Sequence, residues 1–216
     1  FKKNIMKIKI AFLFDKKNNW LSKYFQDFKV NENKFIKKIF YSPKKIINYD
    51  LVFVLGYTKK LNKVFLNKNK LNLLIHESDL PYGRGMSPIQ WQILKGVNLI
   101  KVKLIEVADK LDSGDIFESG LIKLNGTELY NDIRKKQANE TINLIKKFLK
   151  KFPKYKRTKQ VGKPLYFKER NKNHSELNLN KTLKQNFNLM RISNNKEWPA
   201  FFYYKKKKFI IKIYSK

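Results

Sequence analysis

His76 is one of two histidines in the chain, and it directly follows the apolar run Leu73-Leu74-Ile75. A histidine at the end of a buried strand opens onto the crevice where open α/β sheets bind ligands. The next residues, Glu77-Ser78-Asp79-Leu80-Pro81-Tyr82-Gly83-Arg84-Gly85, supply the proline and glycines that permit sharp turns and close backbone approach. Downstream, Ala108-Asp109-Lys110-Leu111-Asp112-Ser113-Gly114-Asp115 is a carboxylate-rich turn placed after another apolar run. A histidine and a carboxylate on neighbouring strand ends make a general acid/base pair that works near neutral pH. Taken singly, each feature is more often structural; the pairing is what points to chemistry. With no cysteine and only His76 and His174, thiolate chemistry and a multi-histidine metal site are excluded.

Strands must carry these residues. Lys7 to Asp15 alternates and then turns wholly apolar, as a strand does on entering a covered parallel sheet. Leu51-Val52-Phe53-Val54-Leu55, closed by Gly56, reads as a buried central strand, with further strands at 73–75 and 100–105. Apolar residues at helical spacing predict helices over 20–29, 58–66, 88–95 and 127–152, the last stopped by Pro153. Strands alternating with helices imply an α/β fold: a Rossmann-like, mostly parallel sheet with helices on both faces.

At 216 residues the chain suits one such domain, here 1–153, plus a small C-terminal β-containing extension, 154–216. The aromatic density of that extension argues against disorder. Its last part reads as strands over 200–204 and 209–214 joined by Lys205 to Lys208. No apolar run approaches the roughly 18 residues needed to cross a bilayer. The opening Phe1-Lys2-Lys3 carries no signal-peptide pattern, Met6 is an alternative start, and the expected location is cytoplasmic.

The net charge is +32, but 44 of the 49 basic residues are lysine and only five are arginine. Specific phosphate grips lean on the bidentate arginine fork, so most of this charge reads as a solvated surface. Residues 71–130 instead hold six basic and eight acidic side chains, leaving +34 on the remainder. The segment that escapes the lysine bias is the one that carries the histidine and the carboxylates.

These residues resemble the formyltransferases that use 10-formyltetrahydrofolate. His76-Glu77-Ser78-Asp79-Leu80-Pro81 is similar to their His-x-Ser-x-Leu-Pro signature, and Arg84-Gly85-Met86-Ser87-Pro88-Ile89-Gln90 continues it. Leu111-Asp112-Ser113-Gly114-Asp115-Ile116 resembles the family's Asp-x-Gly-Asp-Ile element, and Val54-Leu55-Gly56-Tyr57 its folate-contacting strand end. The resemblance covers roughly residues 7–150, and the wording around Trp91 together with the Tyr166 to Ile213 extension is closest to sugar N-formyltransferases.

The resemblance implies that His76 stabilises the oxyanion formed when an amine attacks the formyl carbon. Asp112 would orient His76 and help to remove the amine proton. Asp109 to Gly114 would face the pterin from one side, with Gly56, Tyr57, Thr58 and Leu61 on the other and Lys59 or Lys60 near the glutamate tail. Ser78, Arg84 and Gly85 would serve the substrate side, no metal is required, and the Leu80–Pro81 peptide is expected to be cis. The implied partner is an amino sugar, nucleotide-linked or a nonulosonic acid precursor, with a homodimer allowed. The alternatives are methionyl-tRNA formylation and a non-catalytic RNA-binding protein on the same scaffold. One departure stands out: the family's asparagine two residues before the histidine is Leu74 here. Asn72 lies about 13 Å from His76 at roughly 3.3 Å per residue, too far to replace it without a bulge.

Overall fold

The computed structural model describes residues 6–216; the opening Phe1-Lys2-Lys3, discussed above, lies outside them. Strand β1 (Ile8–Leu13) forms where the apolar run begins, and Ile10 to Leu13 are wholly buried. It pairs in parallel with β2 (Phe35–Phe40) on one side and β3 (Leu51–Val54) on the other. Helix α1 (Lys63–Asn67) follows, and β4 (Leu71–His76) pairs in parallel with β3. Then come β5 (Tyr82–Gly85), α2 (Pro88–Leu94), β6 (Leu99–Glu106), β7 (Ile116–Lys123) and the long α3 (Tyr130–Lys151). The six-stranded sheet has the order β2-β1-β3-β4-β6-β7, so the expected mostly parallel α/β sheet is present. The chain ends with β8 (Leu165–Phe167), α4 (Leu183–Ile192) and the antiparallel pair β9 (Ala200–Tyr204) and β10 (Lys207–Ile211).

The described residues form two compact units, interleaved along the chain. The first holds the chain up to His76, Leu104–Glu118 and Lys147–Gln160. Its centre is aromatic: the Phe12 ring lies 5.1 Å from Phe25, 5.4 Å from Phe28 and 5.5 Å from Phe53, centroid to centroid. Burying one such ring is worth about 2–3 kcal/mol, which makes this cluster the main anchor of β1 and β3. The second unit holds Glu77–Lys103, Ser119–Lys146 and Val161–Lys216. Within it β5 pairs in parallel with β8, and Leu177, Met190 and Ala200 form a small core beneath β9 and β10.

Several expectations need correction. The predicted helix over 20–29 is only a 3-10 turn at Ser22–Phe25. The predicted helix over 58–66 shrinks to Lys63–Asn67, because Asn62 caps it by accepting from the Phe65 N–H at 2.9 Å. Strands β2, β5 and β7 and helix α4 were not expected at all. The turn between β9 and β10 is Lys205-Lys206 alone, both with positive φ, and Lys207 and Lys208 belong to β10. The Leu80–Pro81 peptide is cis, as expected, and so is Phe152–Pro153.

Candidate active site

His76 is the last residue of β4 and is 4% exposed. The strand that carries it is regular: Leu51 to Val54 pair one-to-one with Leu71 to Leu74, with no bulge. Asn72 is therefore held away from the strand end. Its side-chain amide donates to the Leu66 carbonyl at 3.0 Å, and its backbone carbonyl accepts from the Val107 N–H at 2.8 Å. Leu74 is partly buried and packs, with Tyr57, Leu61 and Val107, against the cluster around Val54 and Phe65. Where the family resemblance leads one to look for a polar donor, this chain has an apolar floor.

Asp112 comes from the turn between β6 and β7 and is 9% exposed. Its Oδ2 lies 3.6 Å from His76 Nδ1, so a buried histidine and a buried carboxylate face each other as a potential ion pair. Asp112 reaches that place with φ +49°, a left-handed conformation that costs a non-glycine residue on the order of 1 kcal/mol or more. The turn around it is pinned from several sides. Ser113 Oγ donates to the Lys110 carbonyl at 2.9 Å, and Lys63 Nζ meets Asp109 Oδ2 at 2.8 Å. That carboxylate raises the Lys63 ammonium above its ordinary value. A Cβ on Gly114 would stand 1.9 Å from the Glu106 carbonyl oxygen, so only glycine lets the turn lie this close to β6. Gln160, from the segment after α3, donates its amide N–H groups to the Asp112 and Gly114 carbonyls at 2.8 and 2.9 Å.

Gly56, Tyr57, Thr58 and Leu61 follow β3 in the same unit. Tyr57 and Leu61 are partly buried on the apolar floor, whereas Gly56 and Thr58 are exposed. Asn19 fixes this strand end by donating to the Gly56 carbonyl at 3.0 Å and to Asp15 Oδ1 at 2.7 Å. Burial, with Asp15 adding to it, raises the Tyr57 phenol above its ordinary value, so it stays a neutral hydrogen-bond donor.

Ser78, Arg84 and Gly85 belong to the second unit. The Ser78 hydroxyl, expected on the substrate side, is fully buried and has no hydrogen-bond partner among the described residues. Arg84 is half-buried, its guanidinium 3.5 Å from the Tyr166 hydroxyl. Gly85 has φ +102°, and a Cβ there would stand 2.3 Å from the Phe167 carbonyl oxygen across the β5–β8 pairing. In this unit Trp91 Nε1 donates to the Lys168 carbonyl at 2.7 Å, and its ring is 5.7 Å from the buried Arg170 guanidinium. Sequence reasoning missed Gln160, Lys63 and Asn19, because each acts through a contact that no spacing in the sequence encodes.

A buried imidazole beside a buried carboxylate, next to a half-exposed apolar floor with a phenol, suits acid/base chemistry on a flat, partly apolar ligand. The family model described as Formyl transferase matches residues 7–149. The methionyl-tRNA formyltransferase of Sulfurihydrogenibium sp. is 29% identical over 179 residues, 81% of this chain and 56% of that protein. The chain thus spans about half the length of the curated relatives it matches. Among solved structures, methionyl-tRNA formyltransferase from Clostridium thermocellum superposes with TM-score 0.83 at 24% identity, covering 97% of this chain and 93% of that one. HypX from Aquifex aeolicus in complex with tetrahydrofolic acid gives TM-score 0.78 at 17% identity, covering 96% and 38%. A 4-N formyltransferase from Francisella tularensis gives 0.72 at 21%, covering 95% and 97%.

Proposed function

Because the chain belongs to the formyl transferase family, we propose that it transfers the formyl group of 10-formyltetrahydrofolate to the primary amine of an amino sugar. The observation that carries this reading is the buried His76–Asp112 pair, 3.6 Å apart. The residues fit a folate donor: Tyr57, Leu61, Leu74 and Val107 offer a partly buried apolar wall, and the Asp109 to Gly114 turn offers backbone polar groups. When bound, the donor supplies a formyl carbon open to attack by an amine.

His76 donates a hydrogen bond to the formyl oxygen as negative charge gathers there. Asp112 holds the imidazole in orientation and accepts the proton that the amine loses as the new C–N bond forms; that proton passes to the donor's N10 as the formyl carbon's bond to N10 breaks. Tyr57 and Leu61 shield the site from water, which strengthens every charge interaction within it. With Leu74 apolar, His76 carries the oxyanion without the side-chain amide that the family resemblance leads one to expect. Arg84 and Gly85 serve the acceptor substrate. The catalytic residues lie within 1–153, with 154–216 as an extension. A cytoplasmic location and a homodimer are parts of the same proposal.

The amino-sugar acceptor rests on the resemblance around Trp91 and the Tyr166 to Ile213 extension, since the 4-N formyltransferase and the Clostridium thermocellum enzyme both share the fold over nearly the whole of both chains. A second reading, formylation of methionyl-tRNA, is favoured by the curated relatives. Single-turnover transfer from the 10-formyl donor to a panel of nucleotide-linked amino sugars, beside charged methionyl-tRNA, decides between them. Formylation of an amino sugar supports the first reading. Formylation of methionyl-tRNA alone replaces it with the second.

A further inference from the structure

The chain leaving α3 turns back along the start of β7. Ile116 and Thr158 exchange backbone hydrogen bonds of 2.8 and 2.9 Å, a single antiparallel pairing. In antiparallel register, two residues forward on one strand meet two residues back on the other, so Gln160 comes opposite Gly114. Its amide nitrogen has two protons in one plane, and both are used: one toward the Asp112 carbonyl, the other toward the Gly114 carbonyl. Arg157 flanks the same turn, its guanidinium 3.6 Å from both Glu106 and Asp115.

Two facts give this contact a consequence for chemistry. Asp112 sits at φ +49°, a conformation that persists only where the surroundings over-determine it. Its side chain in that conformation is the one that stands 3.6 Å from His76. We propose that Gln160 is a positioning residue for formyl transfer: by bridging the carbonyls of Asp112 and Gly114 it holds Asp112 left-handed and thereby aims its carboxylate at His76. This rests on the formyltransferase reading above. A neutral amide suits the task, because it grips two carbonyls without placing a charge beside the Asp112 carboxylate.

The test uses Gln160→Met, which keeps the length and removes both donors. Because a displacement of about 1 Å can cost about 100-fold, kcat should fall about 10- to 100-fold while KM for the amine stays within about twofold. The pH profile of kcat should move in the same direction as that of Asp112→Asn. Gln160→Met combined with Asp112→Asn should be no worse than Asp112→Asn alone, since both act through one carboxylate. A purely structural role would lower the melting temperature yet leave the pH profile in place and let the two losses multiply; either result overturns the proposal. Amide hydrogen exchange provides a readout without turnover: Gln160→Met should speed exchange at Ser113 to Asp115 and leave β1 and β3 protected. Unchanged exchange there overturns the clamp even in an inactive protein. Failure of the wild type to formylate any amine overturns the reaction instead, so the two failures are told apart.

Discussion

Asp112 Oδ2 stands 3.6 Å from His76 Nδ1, and the two side chains are 7% and 6% exposed. At such burial neither group has much water to fall back on, so the interaction between them is little screened. His76→Ala should lower single-turnover formyl transfer by about 100- to 1,000-fold, the cost of removing one oxyanion donor. Asp112→Asn keeps the size and removes the charge. The double variant should be scarcely worse than the more damaging single one. Rate losses that multiply would show that the two residues work independently.

Leu74 gives a prediction of opposite sign. It packs on the same floor as Tyr57 and Leu61, two residues before His76. Leu74→Asn places a side-chain amide where the family resemblance puts its formyl-oxygen donor. The single-turnover rate should rise about threefold or more, a fraction of what one oxyanion donor is worth elsewhere. A fall in rate with unchanged donor affinity would show that His76 and the backbone already saturate the oxygen.

Binding of the donor can be read without catalysis. At about 100 times its Kd, 5-formyltetrahydrofolate should stabilise the native state by roughly 2.7 kcal/mol and raise Tm by about 5–10 °C. Tyr57→Ala removes part of the apolar wall and should cut that shift by about half. Differential scanning fluorimetry checks both, and no shift in the wild type counts against the folate site.

Acid should expose Glu128. Burial opposes ionisation of this carboxyl, but the Lys136 ammonium and the backbone N–H groups of Asn125 and Gly126 outweigh it and hold its pKa at about 2 rather than 4.5. Arg191, fully buried, lies 3.6 Å away, and burial lowers its guanidinium below the usual range against the pull of Glu128. A depressed carboxyl stabilises the fold above its unfolded value, and that contribution is lost as pH falls from 4.5 through 2. Glu128→Gln should cost about 3 kcal/mol at pH 7, where it leaves Arg191 without its carboxylate. Urea midpoints of wild type and variant should converge as pH drops toward 2.

The central strands were legible where their runs are wholly apolar: β1 and β3 declare themselves by Ile10 to Leu13 and Leu51 to Val54. Strand β2 hid behind Lys37 and Lys38 in Phe35–Phe40, since an edge strand shows one side to water and tolerates lysine there. Helix α4 hid because Lys184, Gln185, Asn186 and Asn188 dilute its apolar stripe; its start is set by Thr182 and Gln185, which cap each other's backbone. His76 and Asp112 were legible as a pair through motif and strand-end logic. Gln160 was not, because a lone glutamine among lysines acquires meaning only once Thr158 pairs with Ile116.

The hydrogen bonds from Gln160 also set an order of events during synthesis. His76 and Asp112 leave the ribosome first, and the chain must then extend through all of α3 before Gln160 emerges to meet the Asp112 and Gly114 carbonyls. A nascent chain stopped at Pro153 would contain the whole stretch matched by the family model and still lack this fastening. On the proposed role of Gln160, a fragment cut at the helix end would be a scaffold awaiting its latch.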